Sequence, residues 1–121
     1  MKRVLIVEDQ PEIRELIRMT LELEDFEIHE AADGPSGLQQ ARKLQPQLVL
    51  LDVMMPGGMD GFSLCETLRR DPAGRRTKVV MLTARAQPED HARGKAAGAD
   101  GYLVKPFSPR ELLLTVSRLM T

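Results

Sequence analysis

The chain has 121 residues, of which 42% are apolar and 29% charged, and its formal net charge is −1. This is one domain's worth of chain, long enough to bury a core of its own. With 17 basic residues against 18 acidic ones, a nucleic-acid or membrane partner held by bulk charge is excluded, and any electrostatic role has to be local.

The chain opens on Met1-Lys2-Arg3 and the apolar run Val4–Val7. That run is too short for the core of a signal peptide, and the acids Glu8 and Asp9 come directly after it. It reads as a strand. Pro11 then introduces Ile13, Leu16, Ile17 and Leu21 at helical spacing, and Pro suits a first helical turn. Phe26–His29 is a weaker, alternating run that fits a less buried edge strand. Leu38, Ala41 and Leu44 mark a second helix, closed by Pro46.

Leu48–Leu51 is a second near-continuous apolar run, with Asp52 immediately after it. Phe62, Cys65 and Leu68 mark a third helix ended by Pro72. The single cysteine on its apolar side excludes an intrachain disulfide and reads as a small core residue. Val79–Leu82 is the fourth strand, with Thr83 and Ala84 after it. A fourth helix runs from Pro88 to Ala97, and Gly98 is its expected stop. Tyr102–Val104 is the fifth strand, with Lys105 and Pro106 after it. Ser108 is positioned to cap a fifth helix that Pro109 starts and that carries Leu112, Leu113, Val116, Leu119 and Met120.

Five strands alternating with five helices predict an α/β fold, a doubly wound parallel sheet with right-handed crossovers and helices on both faces. No apolar stretch approaches membrane-spanning length, so one domain over residues 1–121 in the cytoplasm is expected. In such a fold, ligands bind at the carboxyl ends of the strands. Those ends carry Glu8 and Asp9, Asp52, Thr83 and Ala84, and Lys105. Crowded carboxylates repel one another and need a compensating charge. Mg²⁺ suits such oxygen ligands, because it accepts one or two carboxylates and binds phosphate oxygens, and Mn²⁺ is an alternative. A carboxylate so placed can act as a nucleophile and form an aspartyl phosphate. Phosphoryl transfer asks the protein chiefly for positioning and charge neutralisation, which the cation and Lys105 supply while Thr83 offers a hydrogen bond.

Over essentially its whole length the chain resembles the receiver domains of bacterial two-component response regulators. The match is carried by VLIVEDQPEIRELI, LVLLDVMMPGGMDGF, VVMLTARA and GADGYLVKPFSPREL. The resemblance implies the flavodoxin-like, CheY-like fold with strand order 2-1-3-4-5. It implies Asp52 as phosphoacceptor, Asp9 and Glu8 as metal residues, and the backbone carbonyl of Met54 as completing the metal site. Thr83 matches the switch hydroxyl, with Ala84 beside it at the phosphoryl site, Lys105 the family lysine, and Tyr102 the switch aromatic that turns inward as Thr83 moves. A cis bond between Lys105 and Pro106 is implied as well. The implied donor is a sensor histidine kinase or a phosphotransfer protein. The implied readout is the face of the fourth helix, fifth strand and fifth helix, acting on an output domain or effector. By this reading the chain is a switch that promotes its own phosphorylation and dephosphorylation, not a turnover enzyme.

The loop after Asp52 is one residue longer than the family's usual pattern. The extra residue is a glycine, and Gly57 and Gly58 can absorb it at little steric cost. KPFSPREL is similar to receivers of winged-helix transcription factors. Those carry an acid and an arginine in a dimer network where this chain has Gly101 and Thr115, so a phosphorylation-dependent dimer stays open. Direct nucleic-acid binding by this domain and membrane association are not expected. Arg85, two positions past Thr83, is expected to tune the lifetime of the acyl phosphate. His29 and His91 are expected at or near the surface without a catalytic role.

Three other readings compete. A haloacid-dehalogenase-type phosphatase needs a second Asp two residues after the nucleophile, where Met54 stands. A flavin or nucleotide domain needs a phosphate-cradling loop where Glu8-Asp9-Gln10-Pro11 offers two acids and a residue without an N–H. A degenerate receiver, acting as a phosphorylation-independent interaction module, is opposed by the full set of Glu8, Asp9, Asp52, Thr83 and Lys105.

Overall fold

A computed structural model of the chain describes residues 1–55, 57–84 and 87–120. The strands are β1 (Lys2–Val7), β2 (Phe26–Ala31), β3 (Leu48–Asp52), β4 (Lys78–Thr83) and β5 (Gly101–Val104). The helices are α1 (Pro11–Leu21), α2 (Gly34–Leu44), α3 (Gly61–Arg70), α4 (Pro88–Ala97) and α5 (Pro109–Met120). All strand pairs are parallel, and the sheet order is β2-β1-β3-β4-β5. Chain order reverses between β1 and β3, which puts the switch point of this doubly wound sheet at their carboxyl ends.

The apolar runs form central strands because both faces of the sheet are covered. Leu5, Val7, Val49, Leu51, Val79 and Met81 pack with Ala41, Phe62, Leu64, Cys65, Leu68 and Ala97 on one side. Val4, Ile6, Leu48, Leu50, Val80 and Leu82 pack with Ile17, Leu21, Leu112 and Val116 on the other. Side-chain alternation along each strand thus feeds two cores, one under α2, α3 and α4 and one under α1 and α5. β2 lies at the sheet edge and is half-buried along most of its length, as its weaker apolar pattern foretells.

Local chemistry sets the helix ends. Asp33 caps α2 and Asp60 caps α3, each accepting from a backbone N–H three residues on. Ser108 does more than cap α5. Its hydroxyl accepts from the Glu111 N–H while the Glu111 carboxylate accepts from the Ser108 N–H, a reciprocal capping box. α4 ends at Gly98 in the left-handed conformation, φ 99°. The segment after α3 differs from the sequence reading, because Pro72–Gly74 forms a 3₁₀ turn where the sequence predicts only a helix stop. Leu16, which helical spacing places on the buried stripe of α1, stands 38% exposed.

Cys65 is fully buried in the core beneath α3, and that burial pushes its thiol up to about 11. The thiolate needed for alkylation is therefore scarce and out of reach. Native protein at pH 8 is expected to stay unmodified by iodoacetamide on a time scale that labels the denatured chain completely. An intact-mass time course reads this directly.

Candidate functional site

Register alone brings the strand ends together. Val7 pairs with Leu51, Asp52 with Leu82, and Thr83 with Val104. The residue after β1 (Glu8), the last of β3 (Asp52), the last of β4 (Thr83) and the residue after β5 (Lys105) therefore line one edge. Glu8, Asp9 and Asp52 each offer a carboxylate oxygen, and these oxygens lie within 4.8 Å of one another. Glu8 and Asp52 are buried, and Asp9 is the least buried of the three.

Lys105 reaches across the sheet edge to both buried acids. Its Nζ lies 2.6 Å from Glu8 Oε1 and 3.2 Å from Asp52 Oδ1. The other Glu8 oxygen, Oε2, accepts from the Gln10 N–H at the start of α1. Asp52 Oδ1 also accepts from the Met54 N–H at 3.3 Å. Burial raises the Glu8 carboxyl to about 7, although Lys105 and the Gln10 N–H pull it down. Burial likewise raises Asp52, with the Lys105 charge opposing. Lys105 itself is held above its ordinary value: its own burial acts downward, but the hydrogen bond and charges of Glu8 and Asp52 outweigh it. One lysine thus incompletely offsets two buried carboxylates and their neighbour Asp9.

Whether a divalent cation fits is decided by the donor set. Glu8 Oε1 is buried, and the ammonium it meets is shared with Asp52. A buried carboxylate oxygen in that state favours a further positive partner. The three acids offer only hard oxygen ligands, which suit Mg²⁺ or Mn²⁺ and not a thiolate-seeking metal. The residues present fit the ion.

Thr83 is buried at the end of β4, and Ala84 is exposed beyond it. The carbonyl of Thr83 accepts from the Lys105 N–H at 2.7 Å, which ties the lysine's backbone to the β4 end. The Lys105–Pro106 bond is cis. A cleft beside this edge is lined by Met54, Asp60, Phe62, Thr83, Ala84 and Arg93. Arg93 on α4 stacks 4.4 Å above the Phe62 ring and pairs with Asp60 at 3.6 Å. No sequence pattern signals that link between α4 and the start of α3. The lengthened loop turns through Gly57 at φ 94° and Gly58 at φ 77°, both in the left-handed region that glycine enters freely. The Met54 side chain is 75% exposed. Arg85 lies outside the described residues.

Tyr102 on β5 is half-buried, with its hydroxyl against α4. The Oη atom is 2.9 Å from the Asp90 carbonyl and 3.1 Å from the His91 carbonyl. Its ring stacks on the exposed His91 imidazole, with centroids 4.3 Å apart. His91 is thus a surface residue with a specific neighbour. The tyrosine fits there because of Gly94, where an added Cβ would overlap the Oη and Cζ atoms. Gly94→Ala is expected to evict the tyrosine from this seat. Alanine's helix preference, about 1 kcal/mol, roughly offsets the lost hydrogen bond. Unfolding stability should change little, while the near-UV circular dichroism of this only tyrosine, in a chain without Trp, should collapse. An unchanged tyrosine signal would contradict the assigned seat.

The chain matches the family model of the response regulator receiver domain over residues 4–117. It is 42% identical over 120 residues to the DNA-binding dual master transcriptional regulator RpaA of Synechocystis, covering 99% of this chain and 49% of that protein. It superposes on the chemotaxis response regulator CheY4 of Vibrio cholerae with a TM-score of 0.93 and 39% identity, covering 98% of each chain. It superposes on the receiver domain of sensor histidine kinase PA1611 from Pseudomonas aeruginosa with a TM-score of 0.89 and 30% identity, covering 99% of this chain and 98% of that one. That last structure holds a magnesium ion in its active-site cleft. The chain belongs to the receiver-domain family of response regulators and has its CheY-like fold. It spans about half the length of the curated relatives it matches. Among the described residues, no helix is long and apolar enough to cross a membrane.

Proposed function

We propose that Asp52 is the phosphoacceptor of a Mg²⁺-dependent phosphorelay switch. The observation that carries this reading is the grouping of three carboxylates and Lys105 at the switch point of the sheet, with Asp52 at the end of the central strand β3. Glu8, Asp9, Asp52 and the Met54 carbonyl would hold the cation, which when bound neutralises charge on the transferring phosphoryl group.

A carboxylate oxygen of Asp52 attacks the phosphorus of a phosphohistidine on a sensor kinase or phosphotransfer protein. The new O–P bond forms as the P–N bond breaks, and the ring nitrogen departs with the bonding pair. Lys105 stabilises the charge on the phosphoryl oxygens, and Thr83 donates a hydrogen bond from its hydroxyl to one of them, beside Ala84. That draws the β4 end inward and disturbs the Tyr102 seat on α4. The changed face of α4, β5 and α5 is what an output domain, an effector or a second phosphorylated copy reads. The site works in the cytoplasm, where such donors are made. Residues 1–121 form one such module, which acts on itself and not on a turned-over substrate.

The test is intact mass after incubation with Mg²⁺ and a small acyl-phosphate donor, beside an Asp52→Asn control. One added phosphoryl group is expected, absent with EDTA and absent in the control. No addition to a folded protein would favour the phosphorylation-independent interaction module.

A further inference from the structure

The Glu8 backbone is held at two points outside the sheet ladder. Its N–H donates to the Ala31 carbonyl at the end of β2, 3.0 Å away. Its carbonyl accepts from Arg14 Nη1 at 2.7 Å. That carbonyl belongs to the peptide plane joining Glu8 to Asp9. A donor on it therefore fixes the direction in which both acids leave β1.

Arg14 is well placed for such a task. It sits one turn into α1, its side chain is 20% exposed, and its Nε donates to Glu30 Oε1 at 3.0 Å. Glu30 near the end of β2 is shared with Arg18, whose Nε lies 2.5 Å from Oε2. The further bonds of Arg18 go to the Ile28 carbonyl and Glu22. Burial pushes the Glu30 carboxyl up, but the two guanidinium groups more than offset this and hold it below the ordinary range. The fork of Arg14 is thus anchored on a charged carboxylate at one tip and aims the other at the peptide between the acids. A lysine ammonium cannot reproduce this planar two-point geometry.

We infer that Arg14 is a positioning residue for the metal-binding acids, acting through the Glu8 carbonyl to set the Glu8 and Asp9 carboxylates for the cation. The inference rests on the reading that Glu8, Asp9 and Asp52 hold Mg²⁺. It predicts an effect opposite in sign to simple electrostatics. Removing a guanidinium near a cation site should strengthen Mg²⁺ binding if Arg14 contributes only charge, whereas loss of positioning weakens it.

The test is Mg²⁺ binding to the unphosphorylated full chain, by calorimetry and by backbone amide NMR shifts, for wild type, Arg14→Ala, Arg14→Lys and Arg18→Ala. Loss of a partner outside the metal's own ligands typically costs about 10–100-fold in affinity. Because the Ala31 anchor remains, Arg14→Ala is expected to weaken Mg²⁺ about tenfold, the lower end of that range. The Asp9 and Gln10 amide signals should shift in the metal-free protein. Arg18→Ala removes the other Glu30 partner and should bind Mg²⁺ like wild type. If Arg14→Ala does not fold, Arg14→Lys keeps the charge without the fork, and binding weaker than wild type is expected there. Wild-type or tighter affinity in the folded Arg14 variants, or an equal loss in Arg18→Ala, overturns the positioning role while leaving the metal site standing. Absence of Mg²⁺ binding by the wild-type protein itself would overturn the metal site and this inference together.

Discussion

Lys105→Ala is expected to slow phosphorylation of Asp52 by at least about a hundredfold, the scale found when one preorganised charge-stabilising donor is removed from an active site. The reason is the position of the ammonium. It lies 3.2 Å from Asp52 Oδ1 and 2.6 Å from Glu8 Oε1, so it already stands where negative charge collects. The same substitution leaves the buried Glu8 Oε1 without the ammonium it meets at 2.6 Å. Breaking a buried pair by removing one partner costs about 3–5 kcal/mol. Because Lys105 is 16% exposed, the lower end applies. The stability loss should shrink when Mg²⁺ is added, since the ion meets the same carboxylates. Rates from intact mass and unfolding in urea with and without Mg²⁺ measure both effects. A variant that labels at the wild-type rate would remove Lys105 from the site's chemistry.

The second large effect lies far from that edge. Arg69→Ala is expected to destabilise the fold by about 2–4 kcal/mol, the range for dismantling a part-buried network of charged hydrogen bonds. Its guanidinium donates to the carbonyls of Gly98, Gly74 and Thr77, and it pairs with Asp100 at 2.8 Å. Asp100 in turn accepts from the Val79 N–H. One side chain therefore joins the end of α3, the 3₁₀ turn, the start of β4 and the stop of α4. Arg69→Lys has one ammonium for these acceptors and should recover little. Urea unfolding monitored by far-UV circular dichroism checks this, and a loss below about 1 kcal/mol, that of a single ordinary hydrogen bond, would contradict it. Asp100 is also the acid of the GAD motif, and here its carboxylate is engaged within the chain.

The range of the forces involved decides which of these features the sequence makes legible. The strands are legible because Val4–Val7, Leu48–Leu51 and Val79–Leu82 are apolar on both faces, a pattern that suits a covered parallel sheet, and helical patterns alternate with them. The acids, Thr83 and Lys105 are legible because each sits next to such a run, and parallel register then carries them to one edge. Local caps such as Ser108 and Gly98 are legible for the same reason of proximity. The Pro72–Gly74 turn is not, because a proline after a helix signals a stop but not the shape of the segment beyond it. Arg69, Arg93 and Gly94 are silent too. Their partners lie on other elements, and nothing in a surface arginine or a helical glycine announces a carbonyl cluster, a phenyl ring or a tyrosine hydroxyl across a gap. Leu16 shows the converse error, since helical spacing marks a face but not how far the core extends along it.

The most direct test of the central claim locates the phosphoryl group. Protein treated with Mg²⁺ and a small acyl-phosphate donor would be reduced with borohydride, which cleaves an aspartyl phosphate and leaves homoserine at the modified position, and then digested for peptide sequencing by mass. Homoserine at position 52 alone, and none without Mg²⁺, is the predicted result. Homoserine at Asp9 or Asp60, or at no position in a folded and magnesium-loaded protein, would contradict the assignment of Asp52 as the phosphoacceptor.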